Sequence, residues 1–143
     1  MKQKTVLTFG TFDVLHEGHL SYLEQARKLG DRLVVIIGRD KNVKKSKGML
    51  PIMNEKHRLR IIQALKPVDE AILGQDKDFF QSVINVKPDV IALGYDQKML
   101  ESHLIQALAE RNFSAKIVRL KPFKEKQHKS TIIKEKIRKM KKT

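Results

Sequence analysis

The sequence predicts an α/β fold in which helices cover both faces of a five-stranded, mainly parallel sheet. Short β-branched runs alternate along the chain with stretches of helical periodicity. The run RLVVII, from residue 32, is almost continuously apolar, as in a strand that is buried on both faces. At 143 residues the chain has the length of one domain, and no linker or internal repeat divides it. We therefore expect a single domain, residues 1–143.

The predicted elements follow one another in a regular order. Residues 5–9 are predicted to form the first strand, which ends at Gly10, and apolar residues at helical spacing then mark a helix that ends before Gly30. Further strands are predicted at residues 32–38, 70–73, 89–94 and 116–120, and further helices begin near residues 54, 79, 100 and 130, the last being a basic C-terminal helix. Residues 39–53 lack periodicity and are rich in lysine, so we expect a mobile basic loop there.

The helix after this loop has clear local signals. Asn54 is a candidate N-cap, and Pro67 closes the helix. Its apolar face is expected to contain Leu59, Ile61, Ile62 and Leu65.

The order of the elements also predicts where a ligand binds. Short crossovers between parallel strands are right-handed, which gives a Rossmann-like, doubly wound sheet. Such sheets bind ligands beyond the carboxyl ends of the strands, where the strand order changes direction. For a chain that starts at a central strand, this point follows the first strand. The segments GTFDVLHEGH, from residue 10, and GYDQ, from residue 94, are both predicted to lie there.

Composition narrows the classes of function. The chain contains no cysteine, which excludes disulfides, thiolate metal sites and cysteine nucleophiles. The net charge is +14, and residues 116–143 contain twelve Lys or Arg but two Glu. A non-catalytic nucleotide-binding or RNA-binding protein is therefore one alternative, although a single aromatic residue in this tail makes nucleic acid the less favoured partner. Without a membrane span or a signal sequence, we expect a cytoplasmic protein.

Two histidines, His16 and His19, occur near the start of the first helix. Helix N-termini bind phosphate; Gly10 is expected to permit a sharp turn, and Gly18 to let a phosphate approach the backbone. Zinc ligation is one alternative, although metalloprotease spacing is one residue longer and no obvious third ligand follows. Ordinary surface or core histidines are another. We favour hydrogen bonds from both imidazoles to a phosphate under attack.

The whole segment resembles the signature of the nucleotidylyltransferase superfamily, which includes cytidylyltransferases, adenylyltransferases and archaeal FAD synthases. The matching positions are Gly10, Thr11, Phe12, Asp13, Leu15, His16, Gly18, His19 and Leu20. The resemblance implies attack on the α-phosphate of a nucleoside triphosphate with release of pyrophosphate. It also implies that His16 and His19 bind the phosphates, and that the backbone at Thr11 and Phe12 lies against the nucleotide. Glu17 and Gly18 belong to the same nucleotide-binding turn, although Glu17 stands where the family often has proline or tryptophan.

The resemblance further implies positive charge over the outer phosphates. Lys44, Lys45 and Lys47 are the candidates in the basic loop, of which we choose Lys45. Arg58 is the candidate on the next helix. Asp96 is expected to contact the ribose or the base, with an N-cap of the following helix as the alternative. The segment LGYDQ resembles the corresponding segment of archaeal FAD synthases.

The C-terminal motif of the superfamily is only partly present. Ser130 and Thr131 keep its hydroxyl pair at a predicted helix start, where they would bind the triphosphate, but its arginine and glycine are missing. Mg²⁺ is expected to arrive with ATP, held mainly by phosphate oxygens, and we predict no metal ligand in the protein. Asp13 is expected either to support the metal indirectly or to stabilise the turn.

Taken with these resemblances, the sequence predicts an enzyme that transfers AMP from ATP to FMN, giving FAD and pyrophosphate. Transfer of CMP from CTP to glycerol 3-phosphate is the alternative reaction, and pantetheine-phosphate or nicotinamide-mononucleotide adenylylation ranks lower. A homodimer is left open, with Phe79 and Phe80 as either core or interface residues.

Overall fold

The structure is a computed structural model that describes residues 3–123 and residue 137. Its elements in these residues are, in chain order, β1 Thr5–Gly10, α1 Glu17–Arg27, β2 Arg32–Ile37, α2 Asp40–Lys47, α3 Glu55–Gln63, β3 Glu70–Leu73, α4 Phe79–Val86, β4 Val90–Leu93, α5 Glu101–Ala109 and β5 Lys116–Arg119. The predicted strands are confirmed, whereas the helix predicted from about residue 130 lies outside the described residues except at residue 137. In the described part of the chain, no helix is both long and apolar enough to cross a membrane.

The strands form one sheet in the order β3-β2-β1-β4-β5, and every neighbouring pair is parallel. β1 is central, since Leu7 pairs with Val34 of β2 on one side and with Ile91 of β4 on the other. The chain runs outward from β1 through β2 and β3 and then returns to β4. The strand order therefore changes direction between β1 and β4, and the predicted Rossmann-like α/β fold is confirmed.

Two apolar clusters, one on each face of the sheet, hold the helices in place. In the first cluster, Leu23 of α1 packs with Ile62 of α3. In the second, Val83 of α4 packs with Leu104 of α5. All four side chains are almost fully buried, and burial of each contributes about 1.5–3 kcal/mol. The two layers of helices leave the carboxyl edge of the sheet to the connecting loops.

Phe79 and Phe80 pack against the second cluster. The Phe79 ring meets the Phe9 ring edge to face, with centroids 4.7 Å apart, and the guanidinium of Arg111 lies 5.1 Å from the centre of the Phe80 ring. Of the two alternatives left open by the sequence, the structure favours a core role for both residues.

The expectation of a mobile loop at residues 39–53 is wrong, because residues 40–47 form α2. Val43 is the buried residue of this helix, and a single apolar position produces no visible periodicity. The helix is anchored at its start, where Oε1 of Glu55 accepts the N–H of Asp40 at 2.9 Å and Oδ2 of Asp40 accepts the N–H of Glu55 at 3.1 Å. Gly48 ends it with a φ of +84°, a conformation that favours glycine.

The start of α3 is as predicted, with the Asn54 side chain accepting a hydrogen bond from the N–H of His57 at 2.8 Å. Its apolar face is not entirely as predicted, because Ile61 is 41% exposed. The inward positions are Ile62 and, one turn earlier, Arg58, which is 1% exposed. A charged residue at a buried helical position cannot be recognised from apolar periodicity.

Candidate active site

The turn between β1 and α1 has unusual backbone conformations. Phe12 and Val14 have φ values of +51° and +23°, a region that residues with side chains seldom adopt. Gly10 does not make this turn, contrary to expectation, because it belongs to the extended strand β1. It leaves room for the Phe12 ring instead, since a Cβ on Gly10 would lie 3.0 Å from Cε2 of Phe12. The backbone strain of the turn falls on Phe12 and Val14.

The Phe12 side chain anchors this strained turn. It is 6% exposed. Its ring stacks on Tyr22, with centroids 6.0 Å apart, and meets His19 edge to face at 5.6 Å. Aromatic contacts of this kind contribute about 0.5–1.5 kcal/mol beyond the buried area. They hold the turn against α1, the helix that carries His19.

Asp13 connects the turn to the segment before α3. Its carboxylate is 1% exposed and accepts hydrogen bonds from the backbone N–H groups of Ile52, at 2.7 Å, and Met53, at 2.9 Å. Of the two roles considered for Asp13, the structure therefore supports stabilisation of the turn.

Arg58 holds the same region from α3. Its Nη1 donates to the carbonyl of Thr11 at 2.7 Å, its Nη2 to Oδ1 of Asp40 at 2.7 Å, and its Nε to the carbonyl of Met53 at 3.0 Å. Three of the five N–H donors of a guanidinium are thus engaged by the protein. Arg58 positions the turn, and its contact with a phosphate stays a prediction.

His16 and His19 lie side by side at the start of α1, with ring centroids 4.1 Å apart and planes inclined by 30°. His16 is the N-cap, and its Nδ1 accepts the N–H of Gly18 at 3.0 Å. Nδ1 of His19 accepts the N–H of His16 at 3.3 Å, which completes a reciprocal capping box. A neutral imidazole that accepts at Nδ1 carries its proton on Nε2. The hydrogen bonds therefore assign an Nε2–H donor to each ring.

A polar bridge joins β1 and β4 at the point where the strand order changes. The hydroxyl of Tyr22 donates to the carbonyl of Ala92 at 2.9 Å and lies 3.4 Å from that of Phe9. The Gln97 side chain donates to the Phe9 carbonyl at 2.8 Å and accepts the N–H of Gly94 at 2.7 Å. Burial raises the pKa of Tyr22, so the hydroxyl keeps its proton and remains a donor.

Asp96 lies in the loop of residues 94–100, between β4 and α5, and is exposed. The N-cap of α5 is Leu100, so the alternative that Asp96 caps this helix is wrong. The helix starts later than the N-cap hypothesis requires, because the loop is shaped by Arg119 at the end of β5. That side chain donates to the carbonyls of Gly94, Gln97 and Met99 at 2.7–2.9 Å.

The lysines of α2 differ in their surroundings. Lys44, Lys45 and Lys47 are all exposed residues in the last turn of the helix. Partial desolvation of its ammonium group lowers the pKa of Lys47, while the nearby carboxylates of Asp13 and Asp96 oppose this effect by raising it. The ammonium group of Lys47 is therefore close to the turn between β1 and α1. Lys45, the lysine chosen from the sequence, is supported as a phosphate contact only by its position in the helix.

The remaining predicted site residues are Glu17, Gly18, Ser130 and Thr131. Glu17 is the exposed first residue of α1, and the N–H of Gly18 is used by His16. Ser130 and Thr131 lie outside the described residues. Within residues 3–123, no three His, Asp or Glu side chains come together as a metal site, so the zinc alternative gains no third ligand there.

An open depression of about 610 Å³ lies on the β2 and β3 side of the turn. Its lining residues are Arg39, Asp40, Lys41, Lys44, Leu50, Glu55 and Asp76. The side chain of Arg58 connects this depression with the turn between β1 and α1, here called the histidine turn, because it contacts both Asp40 and Thr11. Leu50 provides an apolar wall that is 53% exposed.

Three residues of the site, Tyr22, Gln97 and Arg119, were missed by the sequence-based predictions. Tyr22 lies on the buried side of α1, where an aromatic residue looks like ordinary core. Gln97 is part of the GYDQ segment, but nothing in that segment indicates which role its side chain has. Arg119, a charged residue between the apolar Val118 and Leu120 of a predicted strand, is the one that carried a usable signal.

The family model described as Cytidylyltransferase-like matches residues 7–136. An FAD synthase from Ferroglobus placidus is 52% identical over 118 residues, which cover 82% of this chain and 76% of that protein. FAD synthases from Thermoplasma acidophilum and Methanothermus fervidus are 42% and 48% identical, covering 92% of this chain and 92% and 93% of their own.

Solved structures agree on the fold. One, described as a lipopolysaccharide core biosynthesis protein from Thermoplasma volcanium, is 44% identical with a TM-score of 0.82, covering 86% of this chain and 100% of that one. A pantoate-β-alanine ligase from Francisella tularensis has the same fold at 18% identity, with a TM-score of 0.55 over 99% of this chain and 72% of that one. From the family match and the extent of these identities, the chain belongs to the cytidylyltransferase-like family, together with the FAD synthases named above.

Proposed function

We propose that the protein is a nucleotidylyltransferase that transfers AMP from ATP to FMN, giving FAD and pyrophosphate. The observation that carries the proposal is the stacked histidine pair at the start of α1, in which the backbone hydrogen bonds at Nδ1 fix both rings and assign the proton of each ring to Nε2. The substrate pair is supported by relatives named FAD synthase at 42–52% identity over most of the chain.

The reaction needs positioning and charge stabilisation rather than a protein nucleophile. A phosphate oxygen of FMN attacks the α-phosphorus of ATP and forms the new P–O bond, while the bond to the bridging oxygen of pyrophosphate breaks. The attacking oxygen is already anionic, so no general base is required. His16 and His19 donate from Nε2 to the α-phosphate oxygens, where negative charge increases in the transition state. Donors that are held in place before the reaction, as these are by their Nδ1 hydrogen bonds, lose no energy to reorganisation.

In this proposal each substrate occupies its own side of the histidine pair. β4 and β5 lie on one side of β1, where the 94–100 loop presents Asp96 to the nucleoside. β2 and β3 lie on the other side, where the open depression would take the flavin, with its ring system against Leu50. The two phosphates would then meet at the end of β1, between the two halves of the sheet.

Positive charge for the outer phosphates would come from α2 and α3. We propose Lys47 as the principal contact, because its ammonium group lies in the field of Asp13 and Asp96. Lys45 and Arg58 keep the roles predicted from the resemblance, Lys45 at the phosphates and Arg58 both there and as the support of Thr11. Ser130 and Thr131 would bind the triphosphate from the other end of the chain.

Magnesium is proposed to accompany ATP, held by phosphate oxygens and water. The carboxylate of Asp13 does not fit a resident metal, because it is buried and both of its oxygens accept backbone N–H groups. Chemistry supplied by the metal would thus be charge neutralisation on the triphosphate. A cytoplasmic location and a homodimer stay predictions from the sequence.

The experiment offers the purified protein two nucleotides and two acceptors. ATP or CTP is incubated with FMN or glycerol 3-phosphate in the presence of Mg²⁺, and products are separated by chromatography while pyrophosphate is measured. FAD and pyrophosphate are expected in equal amounts from ATP and FMN. CDP-glycerol without FAD would contradict the substrate assignment. If no combination forms product or pyrophosphate, and an oligonucleotide binds tightly with a strong dependence on salt, a nucleic-acid-binding protein would be favoured instead.

A further inference from the structure

We infer that Arg119 is a positioning residue that holds the 94–100 loop in the conformation that binds the nucleoside, and that it thereby sets the choice of base. The inference rests on the proposed nucleotidyl transfer and goes beyond it, since Arg119 belongs to none of the segments that resemble the family motifs.

One guanidinium organises most of the loop. Nη1 of Arg119 donates to the carbonyls of Gly94 at 2.8 Å and Gln97 at 2.9 Å, and Nη2 donates to the carbonyl of Met99 at 2.7 Å. The same Nη2 is paired with the carboxylate of Glu101, the first residue of α5. Three backbone carbonyls and a carboxylate therefore converge on a single side chain, which is 27% exposed.

The loop depends on Arg119 because the helix that follows it has no side-chain N-cap. The N-cap of α5, Leu100, makes no side-chain hydrogen bond to the start of the helix. The entry into the helix is fixed instead by the pair of Arg119 and Glu101, and the pKa of Glu101 is lowered mainly by this hydrogen bond. A planar fork of five donors can bridge several carbonyl groups at once, whereas a lysine ammonium cannot reach them all.

The hydrogen bonds from Arg119 fix the inner side of the loop and leave its outer side exposed to solvent. Asp96 and Lys98 lie between the clamped carbonyls and are exposed. The other end of the loop is tied to β1, where the Gln97 side chain donates to Phe9. The 94–100 loop is thus fixed against both β1 and β5 while its polar groups face outward, at the nucleoside side of the histidine pair.

Base choice follows from a loop that cannot adapt. The phosphate-binding turn contacts the part that ATP and CTP share, so discrimination requires groups that reach the base. A site with fixed hydrogen-bonding groups rejects a base that leaves them unpaired, whereas a loop that adapts would pair with either. Arg119 sets these positions without touching the nucleotide.

The test measures the kinetics of Arg119→Lys and Arg119→Gln with ATP and with CTP at saturating FMN. We expect the KM for ATP to rise about tenfold while kcat stays within about threefold, the pattern of lost ground-state binding. We also expect the ratio of kcat/KM for ATP to that for CTP to fall about tenfold, with Lys rescuing at most part of the loss.

Arg32 provides a matched control. It is an arginine in a strand, 33% exposed and paired with a glutamate that is 47% exposed, as against 27% and 47% for Arg119 and Glu101. Arg32 lies at the opposite, amino-terminal end of its strand, where Arg32→Lys and Arg32→Gln should leave both nucleotide KM values and their ratio unchanged.

The outcomes separate the inference from the function on which it rests. If the Arg119 variants unfold more easily but keep the wild-type ratio of ATP to CTP, the residue is merely structural and the inference fails. A fall in kcat at constant KM also overturns it. Should neither variant fold, Glu101→Gln decides: a smaller shift of the ratio in the same direction is expected, and an unchanged ratio contradicts the inference. If the wild-type protein transfers no nucleotide to any acceptor, the proposed function itself fails.

Discussion

Asp13 and Arg58 hold Met53 from opposite sides: Oδ1 of Asp13 accepts its N–H at 2.9 Å, and Nε of Arg58 donates to its carbonyl at 3.0 Å. Both residues are 1% exposed. The histidine turn and the segment before α3 are therefore joined as one unit, although they are distant in the sequence. This link offsets the backbone strain at Phe12 and Val14, and it is open to a direct test.

Asp13→Asn should lower the free energy of unfolding by about 1–3 kcal/mol, because the amide group turns a donor toward one of the two backbone N–H groups. Urea denaturation measures the difference. Asp31→Asn is the control, since Asp31 also accepts a backbone N–H, that of Lys4 at 2.8 Å, but is exposed to solvent. An equal loss of unfolding free energy in the two variants would show that the buried hydrogen bonds of Asp13 stabilise the protein no more than an exposed one.

His16→Asn separates helix capping from catalysis. The amide oxygen of asparagine can replace Nδ1 as acceptor for the Gly18 N–H, but nothing replaces the Nε2–H donor. We expect turnover to fall about 10²–10³-fold, while the free energy of unfolding changes by less than about 0.5 kcal/mol, because asparagine is a good N-cap.

Turnover is measured as FAD formation, and His103→Asn serves as the control because His103 is exposed on α5. A His16→Asn enzyme of normal turnover would remove the proposed role of the imidazole pair.

The parts of the fold that the sequence predicts are those that depend on local signals. Apolar runs locate the five strands, the Asn54 cap locates the start of α3, and glycine and histidine spacing locates the active-site turn. By contrast, α2 contributes one buried residue, Val43, and is anchored through Asp40 and Glu55. An element that is held by such long-range hydrogen bonds leaves no periodic pattern in its own sequence.

The same distinction applies to the candidate site. His16 and His19 are recognisable because they belong to a short signature whose residues have a fixed spacing in the sequence. The partners of Tyr22 and Arg119 cannot be recognised in this way, because most of them are backbone carbonyls, which every residue has. Only the topology, which places β4 between β1 and β5, brings those carbonyls within reach.

The lowered pKa of Lys47 predicts a pH dependence of nucleotide binding. Partial desolvation makes this ammonium group lose its proton at a lower pH than an ordinary lysine. Since the charged form binds phosphate, the KM for ATP should rise as the pH increases through this lowered pKa, in the alkaline range below the pKa of an ordinary lysine. In Lys47→Arg the rise should disappear, because arginine stays protonated throughout this range.

Initial rates over a series of ATP concentrations at each pH provide the measurement. Lys45→Arg is the control within the same helix, and it should keep the wild-type profile. The opposite assignment, with Lys45 as the phosphate contact, would be supported if the alkaline rise vanished in Lys45→Arg alone.

Leu50→Ser tests the acceptor side of the site. Replacing the apolar wall of the depression should raise the KM for FMN about five- to tenfold and leave the KM for ATP unchanged, because contacts of a few methylene groups discriminate to this extent. Ile105 on α5 is 52% exposed, close to the 53% of Leu50, and Ile105→Ser is therefore the matched control. Equal KM values for FMN in the two variants would place the flavin elsewhere.

The basic C-terminal residues provide the last test, which concerns long-range attraction. Residues 124–143 contain nine Lys or Arg and two Glu, a charge that should steer anionic substrates toward the site. Replacing Lys139, Lys141 and Lys142 by Gln leaves Ser130 and Thr131 intact, so a change in KM reports charge rather than loss of the hydroxyl pair. We expect the KM for ATP to rise about threefold at low ionic strength and to converge with the wild-type value near about 0.5 M salt, where charges are screened over a few ångströms.

Ser130→Ala should instead raise the KM for ATP at every salt concentration, because a direct hydrogen bond is not screened in this way. Identical salt dependence in the lysine variant and the wild type would exclude steering by these three charges.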